Sequence, residues 1–256
     1  MQETQQNPIA LITGGSRGLG RSMALHLAER GVDILFTYRA ATSEANEVRD
    51  RIHGLGRKAL ALPLDVTNSA SFGAFVTAVA TELERTWARK QFDYLVNNAG
   101  TSLHASIAET TAEQLDDIYN VHFKAPFLLT QRLLPLIADG GRIINVSSGL
   151  ARMTIPGSAA YGAMKAAVET LTRYMAKELG VRRITANVVA PGSIATDFSG
   201  GMVRDNPELN KMVASMTALG RVGQPDDVGG AVAMLLSRES GWINGQRIEV
   251  SGGMGL

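Results

Sequence analysis

The chain has 256 residues, a formal net charge of +1, and 45% hydrophobic against 19% charged residues. This balance is that of a globular protein, and the length suits a single α/β domain. A net charge so close to zero creates no strong field, so neither nucleic acid nor an anionic membrane surface is expected as a partner.

Cysteine is absent, which excludes disulfides, thiolate nucleophiles and thiolate-bound metals. The four histidines are scattered without metal-ligand spacing, and no metal is expected. Residues 1–7 are polar, unlike a secretory leader, and no apolar run approaches the ~18 residues of a membrane span. These features predict a cytoplasmic protein without a membrane segment.

Short apolar, β-branched runs alternate with longer helical patterns along the chain. The predicted strands span residues 9–13, 33–37, 58–64, 94–97, 142–147, 184–190 and 247–250. The predicted helices span residues 18–30, 43–55, 69–89, 112–137, 159–179 and 226–236. Thr111 begins a Thr-x-x-Gln capping box, and Pro225 suits the first turn of a helix.

This alternation favours an α/β fold with a parallel, doubly wound sheet, and right-handed crossovers place helices on both of its faces. No linker or repeat divides the chain, so residues 1–256 are assigned to one domain. Residues 192–220 are rich in Gly, Ser and Met and break the rhythm, which indicates a substrate lid. Residues 85–91 look like a short insertion for which the sequence suggests no function.

A glycine-rich segment joins the first predicted strand to the first predicted helix. It reads Thr13-Gly14-Gly15-Ser16-Arg17-Gly18-Leu19-Gly20. Glycines allow a tight turn in which backbone N–H groups approach a pyrophosphate, and the dipole of the following helix favours the same anion. Because the segment follows the first strand of an α/β chain, it indicates a dinucleotide-binding loop.

Further motifs follow in order along the chain. They read Asn97-Asn98-Ala99-Gly100, Tyr161-x3-Lys165, Pro191-Gly192, Gly245-Gln246 and Ser251-Gly252-Gly253. With the glycine-rich segment, they resemble the short-chain dehydrogenase/reductase family over essentially the whole chain, in particular its NADP(H)-dependent 3-oxoacyl-carrier-protein reductase-like members. The resemblance implies a single Rossmann-type domain with a seven-stranded parallel sheet of order 3-2-1-4-5-6-7. It also implies an enzyme that transfers hydride between a nicotinamide and a carbonyl group, and a homotetramer.

The cofactor implied by this resemblance is NADP(H). NAD enzymes of this fold place an acidic residue at the end of the second strand, about 20 residues past the glycine loop. Tyr38 takes that place here and Arg39 follows it, while Arg17 lies in the glycine loop. Two guanidinium groups are suited to the 2′-phosphate of NADP, which a carboxylate would repel. Asp65 is implied as an adenine contact, its alternative being a helix N-cap.

The resemblance also assigns the remaining cofactor contacts. Thr196 is expected to bind the nicotinamide carboxamide, and Lys165 the nicotinamide ribose. The full predicted set consists of Gly14, Ser16, Arg17, Gly18, Leu19, Gly20, Tyr38, Arg39, Asp65, Val66, Asn98, Ala99, Gly100, Tyr161, Lys165, Pro191, Gly192, Ile194 and Thr196.

Tyr161 and Lys165 lie four residues apart on a predicted helix and therefore share one face. A lysine cation beside a phenol favours the phenolate and is expected to lower the tyrosine pKa. In the reductive direction Tyr161 is predicted to donate the proton, and Ser148 to hydrogen-bond the same carbonyl oxygen. The family's Ser-to-Tyr spacing selects Ser148 over the adjacent Ser147, and Asn120 joins the catalytic set by resemblance alone.

Three functions stay open at this point. The first is an NADPH-dependent ketone reductase of unassigned substrate. The second, a 3-oxoacyl-carrier-protein reductase, needs a basic surface for its acidic carrier; residues 135–141 lack one, although Arg182 and Arg183 are available. The third is a non-catalytic NADP-binding sensor or scaffold, which is disfavoured because Ser148, Tyr161 and Lys165 are all present.

Overall fold

The structure is a computed structural model that describes residues 7–256, so the polar residues 1–6 lie outside the described part. Within it, seven strands form one all-parallel sheet in the order β3-β2-β1-β4-β5-β6-β7, which confirms the predicted fold and strand order. The strands are β1 (Ile9–Ile12), β2 (Asp33–Tyr38), β3 (Ala59–Pro63), β4 (Phe92–Asn97), β5 (Ile137–Val146), β6 (Thr185–Pro191) and β7 (Arg247–Val250).

Helices connect these strands and cover the sheet. The α-helices are α1 (Gly18–Glu29), α2 (Thr42–Gly54), α3 (Phe72–Trp87), α4 (Ala112–Tyr119), α5 (Ala125–Leu133), α6 (Ala159–Leu179), α7 (Met202–Asp205), α8 (Pro207–Ser215) and α9 (Pro225–Leu235). Short 3-10 turns occupy Ser69–Ser71, Leu134–Leu136, Gly149–Ala151, Gly180–Arg182, Phe198–Gly201 and Arg238–Ser240. The capping box of Thr111 with Gln114 and the first-turn position of Pro225 are both confirmed.

Alternate residues of each central strand enter two different apolar cores. In β1, Ile9 and Leu11 pack with α3, α5 and α6, whereas Ala10 and Ile12 pack with α1, α2 and α9. This alternation follows from the two-residue period of a strand. Both faces of the sheet are therefore buried, and the carboxyl ends of the strands stay free to build a site.

The prediction of one continuous helix over 112–137 is wrong. A π-helical turn at Asn120–Lys124 separates α4 from α5, and β5 already begins at Ile137. The early start of β5 comes from tertiary pairing, because Ile137 lies in register with Phe92 of β4 before a shift in the ladder. Periodicity in the sequence reports neither feature, since an extra residue in one helical turn leaves the apolar pattern nearly unchanged.

The structure accounts for both segments that stood out in the sequence. The segment 192–220 holds a 3-10 turn, α7 and α8 instead of an irregular insert. In the segment 85–91, the Trp87 indole donates to buried Asp33 at 2.9 Å, and Arg89 forms a salt bridge with Asp93 at 2.7 Å. This insertion therefore fastens the end of α3 to the starts of β2 and β4, which gives it a structural role.

Candidate active site

The glycine-rich loop between β1 and α1 is shaped by close backbone contacts. Gly14 has a φ of +68°, and a Cβ there would lie 3.1 Å from the Cα of Ala99. A Cβ on Gly20 would lie 2.1 Å from the Gly14 carbonyl oxygen. Gly18, with a φ of +53°, begins α1, and the N-cap residue Arg17 makes no side-chain cap hydrogen bond. The first-turn N–H groups and the helix dipole are thus left for an anionic ligand.

Residues that follow β4 hold this loop in place. The Asn98 side chain donates to the carbonyl oxygens of Thr13 at 2.9 Å and Gly14 at 3.1 Å. The Thr13 hydroxyl accepts the backbone N–H groups of Asn98 and Ala99, each at 3.0 Å. Asn98 and Ala99 therefore hold the predicted phosphate-binding loop in its conformation through these hydrogen bonds.

The segment after β6 forms the opposite wall. The Cβ of Thr196 lies 3.7 Å from the position that a Cβ of Gly18 would take, and the Thr196 side chain is buried. Pro191 ends β6, and Gly192 passes so close to Ser251 that a Cβ would lie 2.9 Å from the Ser251 Cα. Ile194 bridges to Gly223. The predicted loop and the predicted carboxamide contact thus face each other at the carboxyl ends of the strands.

Tyr38 and the two arginines lie at the outer end of this cleft. Tyr38 is the last residue of β2 and is half-buried, while Arg39 and Arg17 are exposed. Asp65 is exposed, and its Oδ1 accepts the backbone N–H of Thr67 at 2.9 Å and the Thr67 hydroxyl at 2.8 Å. These hydrogen bonds, helped by the charge of Arg39, lower the pKa of the Asp65 carboxyl. The Asp65 side chain thus stabilises the turn at Thr67 instead of capping a helix, and its adenine contact stays a prediction.

The other predicted contacts line the same cleft. Ser16 is buried in the glycine loop, and Leu19 packs against the core on the α1 side of the sheet. Val66 lines a small internal cavity of about 10 Å³ with Thr13, Asn97 and Ala99. Gly100 follows Ala99 and lies against His122, because a Cβ there would be 3.0 Å from the His122 Cε1.

The two serines that follow β5 have different partners. The Ser147 hydroxyl is buried and donates to the Glu169 carboxylate at 2.7 Å and to the Lys165 carbonyl at 3.2 Å. Ser148 is half-buried, and its Oγ accepts the Leu150 N–H at 3.2 Å. The Ser148 hydroxyl also hydrogen-bonds the Tyr161 hydroxyl, which brings the two groups to the same place.

Tyr161 and Lys165 reach the same place from α6. The helix passes close to the turn after β5 at Gly162, where a Cβ would lie 2.8 Å from the Leu150 carbonyl oxygen. The Lys165 Nζ lies 5.5 Å from the centroid of the Tyr161 ring and donates to the Val146 carbonyl at 2.7 Å. Both side chains are buried. The absent side chain of Gly162 thus lets α6 bring Tyr161 beside Ser148.

The electrostatics of this pair differ from the expectation. Burial raises the pKa of Tyr161 to about 12, and hydrogen bonding with Ser148 acts in the opposite direction. Burial lowers the pKa of Lys165 to about 7. The expected lowering of the tyrosine pKa is therefore wrong for this structure, because desolvation of the phenol outweighs its hydrogen bond with Ser148. The arrangement keeps Tyr161 protonated at neutral pH.

Similar proteins carry the same architecture. The chain matches the family model described as enoyl-(acyl carrier protein) reductase over residues 14–255. The tetrahydroxynaphthalene reductase PfmaG of Pestalotiopsis fici is 38% identical over 256 residues, which cover 96% of this chain and 90% of PfmaG. The chain belongs to the short-chain dehydrogenase/reductase family.

Two solved ketoreductases are also close to this short-chain dehydrogenase/reductase. The promiscuous reductase LugOII, which catalyses keto-reduction at C1 in lugdunomycin biosynthesis, is 38% identical with a TM-score of 0.92, covering 98% of this chain and 99% of LugOII. The angucycline C-6 ketoreductase LanV, crystallised with bound NADP, is 35% identical with a TM-score of 0.91 over 97% of this chain and 95% of LanV.

Two features near the site were not assigned a role from the sequence of this reductase. Phe198, in the 3-10 turn before α7, places its ring 6.1 Å from the Tyr161 ring and is 45% exposed. His122, in the π-helical turn, packs edge-on against Tyr161 with centroids 5.1 Å apart. Asn120 begins that turn and is half-buried. The sequence gives no signal for the two aromatic contacts, because both depend on long-range packing.

A network of charges lies behind Ser148. Arg247 of β7 donates to Glu169 at 2.8 Å and to Glu249 at 3.1 Å, and it reaches the Ser148 carbonyl oxygen at 3.4 Å. Glu249 also accepts from Arg152 at 3.1 Å. The network connects α6, β7 and the turn after β5, and it fixes the backbone that carries Ser148.

The structure was also searched for metal-binding clusters and membrane-spanning helices. Over residues 7–256, no group of three or more His, Cys, Asp or Glu side chains is arranged to hold a metal ion. In the same part of the chain, every helix is too short or too polar to cross a membrane.

Proposed function

We propose that this protein is an NADPH-dependent ketoreductase, with Tyr161 as proton donor and Ser148, Lys165 and Asn120 as the other catalytic residues. The observation that carries the proposal is the meeting of Tyr161, Lys165 and Ser148 opposite the glycine loop and Thr196. The keto-reducing relatives PfmaG, LugOII and LanV support the reaction class, and the NADP bound to LanV supports the cofactor.

The residues present fit NADPH. The glycine loop leaves backbone room that a Cβ on Gly14 or Gly20 would fill, so a pyrophosphate can approach the start of α1. Arg17 and Arg39 are exposed at the outer end of the cleft, where they would hold the 2′-phosphate. Thr196 would bind the carboxamide, and Lys165 the ribose. When bound, NADPH supplies the hydride to the carbonyl carbon.

The chain's own groups complete the reaction. As negative charge develops on the carbonyl oxygen, the Ser148 hydroxyl donates a hydrogen bond to it, and the Tyr161 hydroxyl transfers its proton to the same oxygen. Tyr161 then carries the negative charge, which is stabilised by the Lys165 ammonium, whose Nζ lies 5.5 Å from the centroid of the Tyr161 ring. Because burial raises the pKa of Tyr161, the phenol holds its proton until the carbonyl oxygen takes it.

The substrates that fit are large ketones with an apolar or aromatic body. The half-exposed ring of Phe198 beside Tyr161 offers a surface on which an aromatic substrate can stack. The segment 192–220, with its exposed Met202, would close over such a substrate as a lid. The named substrates of the relatives, hydroxynaphthalenes and angucyclines, support this class.

A carrier-bound substrate is less well supported. Arg182, one of the two arginines available for an acidic carrier, is tied to Asp139 at 2.7 Å and to the Leu134 carbonyl oxygen at 2.8 Å. An arginine held in this way has little freedom to bind a partner protein. A free ketone is therefore the proposed substrate.

The proposed assembly is a homotetramer. Exposed apolar side chains on α4, α5 and α6 support it: Leu115, Tyr119, Phe127 and Tyr174 are each at least 40% exposed. Apolar faces of this kind usually mark an association surface. The cytoplasmic location stays a prediction from the sequence.

The decisive experiment measures NADPH oxidation by the wild type and by Tyr161→Phe with four substrate classes. These are bicyclic aryl ketones, acyclic ketones, 3-oxoacyl thioesters and enoyl thioesters. We expect the wild type to favour the aryl ketones, and Tyr161→Phe to lose at least about 100-fold in kcat while it still binds NADPH. Full activity of Tyr161→Phe would refute the proton-donor role. Turnover of enoyl thioesters alone would refute ketone reduction.

A further inference from the structure

His122 is a fully buried polar residue with one nitrogen that has no partner. Its side chain is 2% exposed and belongs to the π-helical turn Asn120–Lys124. Nε2 lies 2.8 Å from the Thr101 carbonyl oxygen and 3.4 Å from the Thr101 backbone nitrogen. We assign the proton to Nε2, because the shorter contact is to a carbonyl, which only accepts. Nδ1 is therefore the lone-pair nitrogen, and this buried atom has no hydrogen-bond donor.

Burial of an unpaired nitrogen has an energetic cost. Leaving a polar atom unsatisfied in this way costs about 1–3 kcal/mol, and a phenylalanine or leucine of similar size would avoid it. The imidazole is also kept neutral, since burial and the nearby Lys165 lower the pKa of His122 to about 2. His122 is therefore neutral near pH 7 and is unsuited to supply a proton to Tyr161 there.

The surroundings show what the ring does instead. It meets the Tyr161 ring at 84° with centroids 5.1 Å apart, an edge-to-face contact that restricts rotation of the phenol. On another side it reaches Gly100, whose missing Cβ leaves room for the ring. The Nε2–H bond to Thr101 fixes the segment after β4 to the same imidazole. Single-residue bulges of the π-helical type occur frequently at functional sites.

We propose that His122 is a positioning residue, whose ring holds the Tyr161 phenol in its proton-donating orientation. This role rests on the proposed reaction, in which the Tyr161 hydroxyl must point at the carbonyl oxygen. A phenol free to tilt would move its hydroxyl away from Ser148, and a misplacement of about 1 Å can cost 100-fold in rate. The titratable groups packed around Tyr161 are Lys165 on the same helix, Ser148 after β5 and His122 itself.

Three substitutions separate the contributions of the ring and of its hydrogen bond. His122→Phe keeps an aromatic edge against Tyr161 and loses the bond to Thr101. His122→Gln keeps a donor toward Thr101 and loses the aromatic edge. His122→Leu loses both. His26→Gln, at the remote contact between α1 and α9, serves as the control.

For His122→Gln and His122→Leu we expect kcat to fall about 10- to 100-fold while the KM for NADPH stays nearly constant. His122→Phe should retain kcat within about threefold, because the ring contact is preserved. His26→Gln should match the wild type. If His122→Phe lost as much kcat as His122→Leu, the ring contact would not be what matters and the proposal would be overturned.

A second readout needs no substrate. Tyrosinate absorbance is titrated in each variant, and the signal of Tyr161 is isolated by subtracting the same variant with Tyr161→Phe. A polar amide beside the phenol lessens its desolvation, so the pKa of Tyr161 should fall toward about 10 in His122→Gln and stay raised in His122→Phe. An unchanged titration in all variants would overturn the positioning role. This result is independent of whether any ketone proves to be a substrate.

Discussion

The Ser147 hydroxyl donates a 2.7 Å hydrogen bond to the Glu169 carboxylate, which also accepts from Arg247 at 2.8 Å. The Ser147 hydroxyl is therefore part of the charged network behind the site, whereas the hydroxyl of its neighbour Ser148 faces Tyr161. The pair offers a matched test of which hydroxyl acts on the substrate.

We predict opposite profiles for the two alanine substitutions. Ser148→Ala should lower kcat by about 100- to 1,000-fold with little change in stability, because one hydrogen-bond donor to the developing oxyanion is lost. Ser147→Ala should keep most of the activity and lower the free energy of unfolding by about 1–3 kcal/mol, since Glu169 loses a buried partner. Steady-state kinetics and urea denaturation measure the two effects. Equal losses of kcat would contradict the assignment of Ser148.

Cofactor preference should depend on Arg39. Replacing Arg39 by Asp puts a carboxylate where the 2′-phosphate of NADPH would lie, so NADPH is repelled and the ribose hydroxyl of NADH gains an acceptor. We expect the NADPH/NADH ratio of kcat/KM to fall by at least about 100-fold. Arg51→Asp, an exposed charge reversal on α2, is the control for net charge. A ratio that Arg39→Asp leaves unchanged would exclude this arginine from cofactor selection.

The glycine loop should tolerate no side chain at residue 20. A Cβ on Gly20 would lie 2.1 Å from the Gly14 carbonyl oxygen and 2.6 Å from the Asn98 amide nitrogen, so Gly20→Ala must displace the loop. We predict that NADPH affinity falls at least about 10-fold, as measured by quenching of tryptophan fluorescence or by calorimetry. Gly54→Ala, where a Cβ meets open space, should bind NADPH normally. Normal binding by Gly20→Ala would show that the loop is not the phosphate cradle.

Lys165 should make stability depend on pH. Its pKa is about 7 in the folded protein and about 10.4 in an unfolded chain, so the unfolded state binds more protons between these values. The free energy of unfolding therefore carries the full penalty of a buried cation below about pH 7 and recovers as pH rises toward 10.

Lys165→Met removes this titration. We predict that the variant is more stable than the wild type by on the order of 1–3 kcal/mol at about pH 6, and that the advantage shrinks by about pH 9 while kcat is lost throughout. Denaturant unfolding at both pH values measures the difference. A stability difference that is the same at the two pH values would contradict the lowered pKa of Lys165.

Much of this molecule follows from local sequence patterns. The strand–helix alternation, the capping box at Thr111 and the glycine-rich loop each depend on residues close together in the chain, and the structure has all three. The four-residue spacing of Tyr161 and Lys165 likewise brings both side chains to the same side of α6. The sequence by itself therefore determined the fold class, the strand order implied by family resemblance, and the parts of a dinucleotide site.

Other properties were decided only when distant segments packed together. The π-helical turn and the early start of β5 depend on pairing and burial that no local pattern records. The sign of the Tyr161 pKa shift changed for the same reason, because desolvation depends on everything packed around the phenol. The partners of Ser147 and the edge-on contact of His122 with Tyr161 join residues far apart in sequence. A sequence motif specifies which chemical groups are present, whereas only tertiary packing sets their solvation and orientation.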